Sequence, residues 1–451
     1  MLNELASAVR EGKVHPTELV DEALRRIEKL DGPVNAVVAL GAEQALDEAK
    51  RSSRQGPLAG IPYLVKDLAR CAGLPTSYGS PFVGAGGPPE TVDDTTVARL
   101  RAAGAIPIGK SNTPAYGWTA ATTNKVFGST KNPWNLERTP GGSSGGSAAA
   151  LAAGLVPIAT SSDGGGSVRI PASMCGLVGL KPTIGAIGRD GAPRWIDFST
   201  WGASGHTVAD VVAEASVYVG PTSGDIRSLP LGAIDMTLTR PSRVLFCRTL
   251  RGAVEPVIEG AARSIATKLE DAGLVVDEID NPIPGAVVDW GIISVCDLAQ
   301  SLADMRERWD ELDTGLQEML QLQDFFTVND YVAARRRSYA TCATLDQLLG
   351  ADTVLITPTA NSESWGPDGP LPTVVCGADD PGVCVNTPEF NVTGHPVVNV
   401  PIGRDSAGVP FGLQIVAPRW QDGVALALAE VVEEVAPWAL VADGYEPFPL
   451  P

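Results

Sequence analysis

The chain has 451 residues, of which 44% are hydrophobic and 19% charged, and its formal net charge is −19. That length suits two or three ordinary domains or one large α/β domain, and that composition supports a large core and excludes wholesale disorder. So acidic a chain does not carry the basic groove that nucleic acid requires, and no nucleic-acid partner is expected.

The opening stretch, MLNELASAVREGKVHPTELVDEALRRIEKL, is charged throughout and lacks the apolar core of a signal peptide. No run reaches the length of a membrane helix; the most apolar, Ala148 to Ala159, is short and holds Gly154 and Pro157. A cytoplasmic, bacterial-type protein without a membrane partner is expected.

Residues 15 to 30 read as a helix capped by Thr17, with Leu19, Val20, Ala23, Leu24 and Ile27 as its apolar stripe. NAVVALGAEQALDEAKRS reads as a short element and a second helix, and GIPYLVKD as an apolar strand ending in charge. DTTVARLRAAGAIPIGKSN reads as a capped helix, a stop at Gly104 and a strand. SAAALAAGLVPIATSSD repeats the theme, with a helix from about Ser147 and a strand from Val156 to Thr160. Further on, EPVIEGAARSIATKLEDAGLVVDEID again runs from helix into strand. ADTVLITPT, HPVVNVPIG and PFGLQIVAP are buried strands, and QDGVALALAEVVEEVAP is a closing helix. The alternation predicts an α/β fold, one mixed sheet with helices on both faces. Residues 300 to 345 look like a helical insertion, and residues 361 to 382 like a long Pro/Gly-rich loop of the kind that more often serves function than not.

The seven cysteines are scattered, with no CxxC, and read as buried thiols; a Cys376–Cys384 pair is the one disulfide the spacing entertains. Only three histidines occur, none at ligand spacing, so no metal site is expected.

Two glycine-serine clusters sit close together in TPGGSSGGSAAALAAGLVPIATSSDGGGSVRIPA, residues 139 to 172. A flexible linker would stay polar, whereas both clusters run straight into apolar elements. A phosphate loop of the Walker type needs a lysine that GGSSGGSAA lacks, although an anion-binding loop of another kind stays open. The third reading is catalytic. In DGGGS, three glycines let backbone N–H groups converge where side chains would collide, and the serine after them can attack a carbonyl held there. A Ser-His-Asp triad needs a histidine, but His15, His206 and His395 all sit beside turn-like or cap-like residues and read as structural. A neutral lysine can serve instead, and Lys66, at the end of the apolar strand, is the candidate; reaching neutrality near pH 7 costs about 4 kcal/mol of desolvation.

These segments resemble the amidase signature family, the serine amidases with a Ser–cis-Ser–Lys triad. The resemblance runs from GIPYLVKD through GKSNTPAYGW, TTNKVFGSTKNPWN and both clusters to GLVGLKPTIG, FNVTGHPVVNVPIG and GLQIVAPRW, and is loose only between residues 205 and 380. It implies one amidase domain over 1 to 451, with a signature core at about 56 to 190 and a variable pocket region at about 190 to 380. Position by position it implies Lys66 as base, Ser143 as the bridging cis-serine and Ser167 as nucleophile. It also implies Gly164, Gly165 and Gly166, with the Ser167 N–H, as oxyanion hole, Ser144 as supporting serine, and an Asp163–Arg169 ion pair holding the loop. Gly117, Trp118 and Thr119 fall where family members line the acyl side of the pocket. No cofactor is implied.

The implied activity is hydrolysis of amide C–N bonds through an acyl-enzyme, extending to anilides and carbamates (urethanes), by a monomer or homodimer acting on small molecules. Trp118, Trp195 and Trp201 are candidates for an aromatic pocket, or for ordinary packing at turns, and residues 189 to 205 for its rim. Two alternatives stand beside it: the glutamine-hydrolysing component of a tRNA-dependent amidotransferase, and a non-catalytic binding protein. The second predicts damage to the triad, and all three residues are present.

Overall fold

The computed structural model describes residues 1–379 and 384–450. Four strands, β1 (Val37–Leu40), β2 (Pro62–Lys66), β3 (Ile106–Ser111) and β4 (Ile158–Ala159), form one sheet in the order β1-β3-β2-β4. A larger sheet takes β5 (Ser161–Asp163), β6 (Val178–Lys181), β7 (Thr200–Gly205), β8 (Arg243–Cys247), β9 (Val275–Ile279) and β10 (Thr353–Pro358). After the small hairpin of β11 (Val374–Val375) and β12 (Ala378–Asp379), β13 (Val397–Arg404) and β14 (Pro410–Val416) complete it in the order β5-β7-β6-β13-β14-β10-β8-β9. Only β8, β9 and β10 pair in parallel within it; its other pairs are antiparallel.

Helices bury both faces of the larger sheet, and the side-chain alternation of its strands shows how. Val354 and Ile356 of β10 join the main core with Ala262 and Ile265 of helix Pro256–Asp271, whereas Leu355 between them packs with Leu345 and Leu349 of helix Val328–Leu349. The closing helix Asp422–Val435 lies on β13 and β14 with ten buried residues. Each fully buried Val or Leu among them contributes about 1.5–3 kcal/mol.

The α/β architecture is the one expected, with three local differences. The strand expected over Val156–Thr160 is shorter, β4 at Ile158–Ala159; past Thr160 a further strand, β5, follows outside the expected range, and the chain passes there from the small sheet to the large one. Thr160 is the pivot: its hydroxyl accepts the Lys66 N–H of β2 at 2.8 Å. The first long helix, Pro16–Val34, is capped by His15 rather than Thr17. The His15 ring accepts the Thr17 N–H at 3.2 Å while the Glu18 carboxylate accepts the His15 N–H at 2.8 Å. That is a capping box built on an imidazole, a residue that the usual Ser/Thr/Asp/Asn preference passes over. The third difference concerns cysteine: Cys376, not joined to Cys384, is exposed rather than buried, its thiol lying 3.3 Å from the Val254 carbonyl.

The helical insertion is larger than the sequence suggested. It runs through Ala286–Ser301, Ala303–Glu311, Thr314–Gln321 and Val328–Leu349. Among the described residues no single helix is long and apolar enough to cross a membrane; the first two reach that length together only across a 95° break. The hairpin of β11 and β12 lies inside the predicted loop 361 to 382, whose last residues, 380 to 382, fall outside the described part.

Candidate active site

Lys66 ends β2 beside β4, at the seam between the two sheets. Its side chain is wholly buried and surrounded by hydroxyls. Nζ donates to Ser143 Oγ at 2.8 Å, Ser144 Oγ at 2.8 Å and Ser162 Oγ at 3.1 Å. Ser143 and Ser144 come from the first glycine-serine cluster, and Ser162 from β5. Burial lowers the Lys66 pKa from 10.5 to about 7; Asp163 opposes the shift and Arg189 adds to it.

Three hydroxyls suit an amine in either protonation state. An ammonium donates to all three. A neutral amine donates to two and accepts from the third. Ser144 is committed as an acceptor, because its own proton goes to the Ser162 carbonyl at 3.3 Å. Ser143 and Ser162 share the cleft with Ser167, and the Gly142–Ser143 peptide is cis. Gly117 presses against Ser143 so closely that a Cβ there would lie 3.1 Å from Ser143 Oγ.

The second cluster forms a turn whose peptide planes are held individually. The Asp163, Gly164, Gly165 and Gly166 carbonyls accept, in order, from Asn391 Nδ2 (3.2 Å), Trp290 Nε1 (2.8 Å), Thr387 Oγ1 (2.6 Å) and the Ile170 N–H (2.7 Å). In a trans peptide the following N–H points opposite to its carbonyl, so the carbonyl partners aim the next N–H. The glycines are required by space. A Cβ on Gly164 would meet Trp195 Cε3 at 2.1 Å, one on Gly165 would meet Trp290 Cζ2 at 2.4 Å, and Gly166, at φ 125°, would meet Thr387 Oγ1 at 2.2 Å. Trp195 and Trp290 pack edge to face at 6.1 Å behind the turn.

The turn is anchored on a buried ion pair. Asp163 Oδ1 and Oδ2 take Arg169 Nη2 and Nε, each at 2.9 Å, and both side chains are fully buried. Burial alone would raise the Asp163 pKa, but the Arg169 guanidinium overrides it and holds the carboxylate below the ordinary range. Arg169 is satisfied further by Thr387 O, Gln414 Oε1 and Asn391 Oδ1. The same carboxylate accepts the Gly166 N–H at 2.7 Å and the Val168 N–H at 3.2 Å. This alters one expectation. The Gly166 N–H is already spent on Asp163, which leaves the Gly164, Gly165 and Ser167 N–H groups for a ligand.

Ser143, Ser162, Ser167 and Gly164 open onto one cleft of about 360 Å³. Gly117, Trp195 and Trp201 line it too. Trp118 and Thr119 do not. The Trp118 indole lies against Gly315 of helix Thr314–Gln321, and the Thr119 carbonyl abuts Gly142. No histidine lines the cleft: His15 is a helix cap, His206 Nε2 meets the Leu151 carbonyl at 3.0 Å, and His395 lies 3.2 Å from Asp346. Sequence reasoning missed Trp290, Thr387 and Asn391, which lie more than a hundred residues from the turn they hold, and Tyr78 and Tyr116 of the cleft wall; Arg189 and Arg194 fall within the rim segment expected over residues 189 to 205.

A family model described as Amidase matches residues 18–426. The acylamidase of Rhodococcus erythropolis is 32% identical, over 97% of this chain and 95% of its own length. A glutamyl-tRNA(Gln) amidotransferase component from Chromohalobacter salexigens is 30% identical, over 98% of both chains. Among solved structures, a bacterial aryl acylamidase of the amidase signature enzymes superposes with a TM-score of 0.88 at 25% identity, over 96% of each chain. The chain belongs to the amidase signature family of hydrolases.

Proposed function

We propose that this protein is an amidase that cleaves carboxamide C–N bonds through an acyl-enzyme on Ser167, and that anilides and carbamates are among its substrates. The observation that carries this reading is the Lys66 amine, wholly buried, hydrogen-bonded to Ser143 at 2.8 Å and brought to a pKa of about 7 with no carboxylate touching it. A neutral lysine there is a base at neutral pH.

In this mechanism Lys66 takes the Ser143 proton as Ser143 takes that of Ser167. Ser167 Oγ attacks the amide carbon, and the N–H groups of Gly164, Gly165 and Ser167 receive the oxyanion. The C–N bond breaks, and the amine leaves with a proton returned through Ser143. Water, deprotonated by the same relay, then attacks the ester and releases the acid. A carbamate passes through the same tetrahedral oxyanion, so the chemistry extends to it. The similarity to the amidotransferase component favours a second reading, glutamine hydrolysis that requires partner proteins.

The test is release of 4-nitroaniline from an acyl 4-nitroanilide, beside a matched 4-nitrophenyl carbamate and glutamine, by the purified chain and by Ser167→Ala. Turnover of the anilide or carbamate that disappears in the folded variant is expected. Unchanged turnover in Ser167→Ala removes the nucleophile assignment. Glutamine cleavage only with partner proteins added favours the second reading.

A further inference from the structure

Beyond the relay and the glycine turn, the cleft wall includes the segment Arg189 to Trp195, which carries three donors that lack acceptors among the described residues. Arg189 Nη1, Arg194 Nε and Trp195 Nε1 are each shut off from water without a hydrogen-bond partner among the described residues. Buried donors in proteins nearly always have one. Neither guanidinium is in an ion pair among the described residues. Arg189 lies over the Trp201 ring at 5.9 Å, and Arg194 over Tyr78 and Tyr116 at 4.6 and 4.7 Å.

The acidic groups of the same cleft are already engaged. Asp94 takes the Arg70 guanidinium at 2.7 Å, and Asp190 accepts the Thr95 N–H. Two guanidiniums therefore line the cleft with no carboxylate at ion-pair distance among the described residues, although Asp225, Asp94 and Asp190 act on Arg189 from farther off, in a chain whose net charge is −19. The aromatic rings orient their planes but accept no strong hydrogen bond. What matches two planar cations and an indole N–H is an oxyanion with several lone pairs, above all a carboxylate.

We propose that this wall is a carboxylate-binding subsite formed by Arg189, Arg194 and Trp195, and that the amides reaching Ser167 carry a free carboxylate docked there. The cleavage part rests on the hydrolase reading above; the binding part stands without it.

The test compares two matched pairs. One sets glutaric acid mono(4-nitroanilide) against pentanoyl 4-nitroanilide, placing the charge on the acyl side. The other sets 4-(butanoylamino)benzoate against butanoyl 4-methylanilide, placing it on the amine side. Binding is measured by calorimetry with Ser167→Ala, alone and combined with Arg189→Gln or Arg194→Gln; turnover is measured with the intact enzyme. In at least one pair the anion binds about tenfold or more tightly, and the preference falls severalfold in the arginine variants. Equal affinity within both pairs overturns the subsite, as does a preference that neither arginine variant reduces. Because each ratio is taken within one protein, partial misfolding of a variant does not imitate the loss. Turnover without anion preference sinks this inference and leaves the hydrolase reading. Anion-selective binding without turnover of any probe leaves the subsite and removes the hydrolase reading.

Discussion

Replacing Lys66 with methionine removes a buried ammonium and keeps most of the side chain's length. In the unfolded chain this lysine titrates near 10.5, and in the fold burial brings it to about 7. Between those values the unfolded state holds a proton that the folded state does not, so stability rises with pH across that window. Below about 7 both states are protonated and the whole penalty, about 5 kcal/mol, is present; near 10.5 it has vanished. Methionine carries no such penalty but forfeits the bonds to Ser143, Ser144 and Ser162, worth about 1 kcal/mol each. The variant is therefore more stable than wild type by about 2 kcal/mol at pH 7 and less stable by about 2 kcal/mol at pH 10. At about 2.1 cal/mol/K of unfolding entropy per residue, a chain this long shifts its midpoint about 1 °C per kcal/mol. Scanning calorimetry of both proteins side by side at pH 7 and pH 10 should show Tm differences of about 2 °C with opposite signs. Lys181, also buried with a pKa lowered to about 7, is common to both and cancels. A difference that is the same at both pH values, or that favours methionine more as pH rises, refutes the reasoning. The activity of wild type carries the same signature: kcat/KM falls tenfold per pH unit below about 7, and a flat profile down to pH 5 means that Lys66 is not the base.

Ser143→Ala should lower kcat by about 10²–10⁴-fold while the protein melts normally, since it interrupts the proton path; a twofold loss would take Ser143 out of the mechanism. Asp163→Asn leaves the Arg169 guanidinium buried without its counter-charge and should cost about 3–5 kcal/mol in urea unfolding. A loss under about 1 kcal/mol would mean that Asn391 and Gln414 suffice for Arg169. Gly165→Ala puts a Cβ 2.4 Å from Trp290 Cζ2 and should reduce kcat about 10²-fold by displacing an oxyanion N–H. Adding Trp290→Leu to it should restore part of the rate, and no restoration points to damage elsewhere.

The local pattern was legible wherever a segment answers to its own chemistry. Short continuous apolar runs announced β2, β10, β13 and β14, and three consecutive glycines before Ser167 announced a turn with convergent N–H groups. Legibility failed where a residue's role depends on the particular partners around it, near or far. His15 caps a helix because Glu18 and the Thr17 N–H close the box around it, a use of imidazole that propensity does not suggest. Val156–Thr160 reads as one strand, yet only Ile158–Ala159 pairs with β2, and past Thr160, whose hydroxyl accepts the Lys66 N–H, β5 pairs with β7 instead. Trp118 reads as a pocket wall, but Gly315 offers its indole a flat seat away from the cleft.

The sequence by itself determined the reactive inventory: a lysine at the end of an apolar strand, two serine clusters joined by a small-residue helix, and glycines where side chains cannot fit. Those features are local, since backbone permissiveness, hydrophobic periodicity and the reactivity of each side chain travel with the residue. Only the tertiary structure decided that Lys66 is wholly buried among three hydroxyls and that the Gly166 N–H belongs to Asp163. It alone decided that Trp290, Thr387 and Asn391 aim the peptides of the turn, and that Arg189 and Arg194 line the cleft, each with a guanidinium N–H unpaired among the described residues. Burial and hydrogen-bond direction are properties of what surrounds a group, and much of those surroundings comes from elements far along the chain, 77 to 96 residues away for Lys66 and 126 to 228 residues away for the Trp290 and Asn391 that hold the turn.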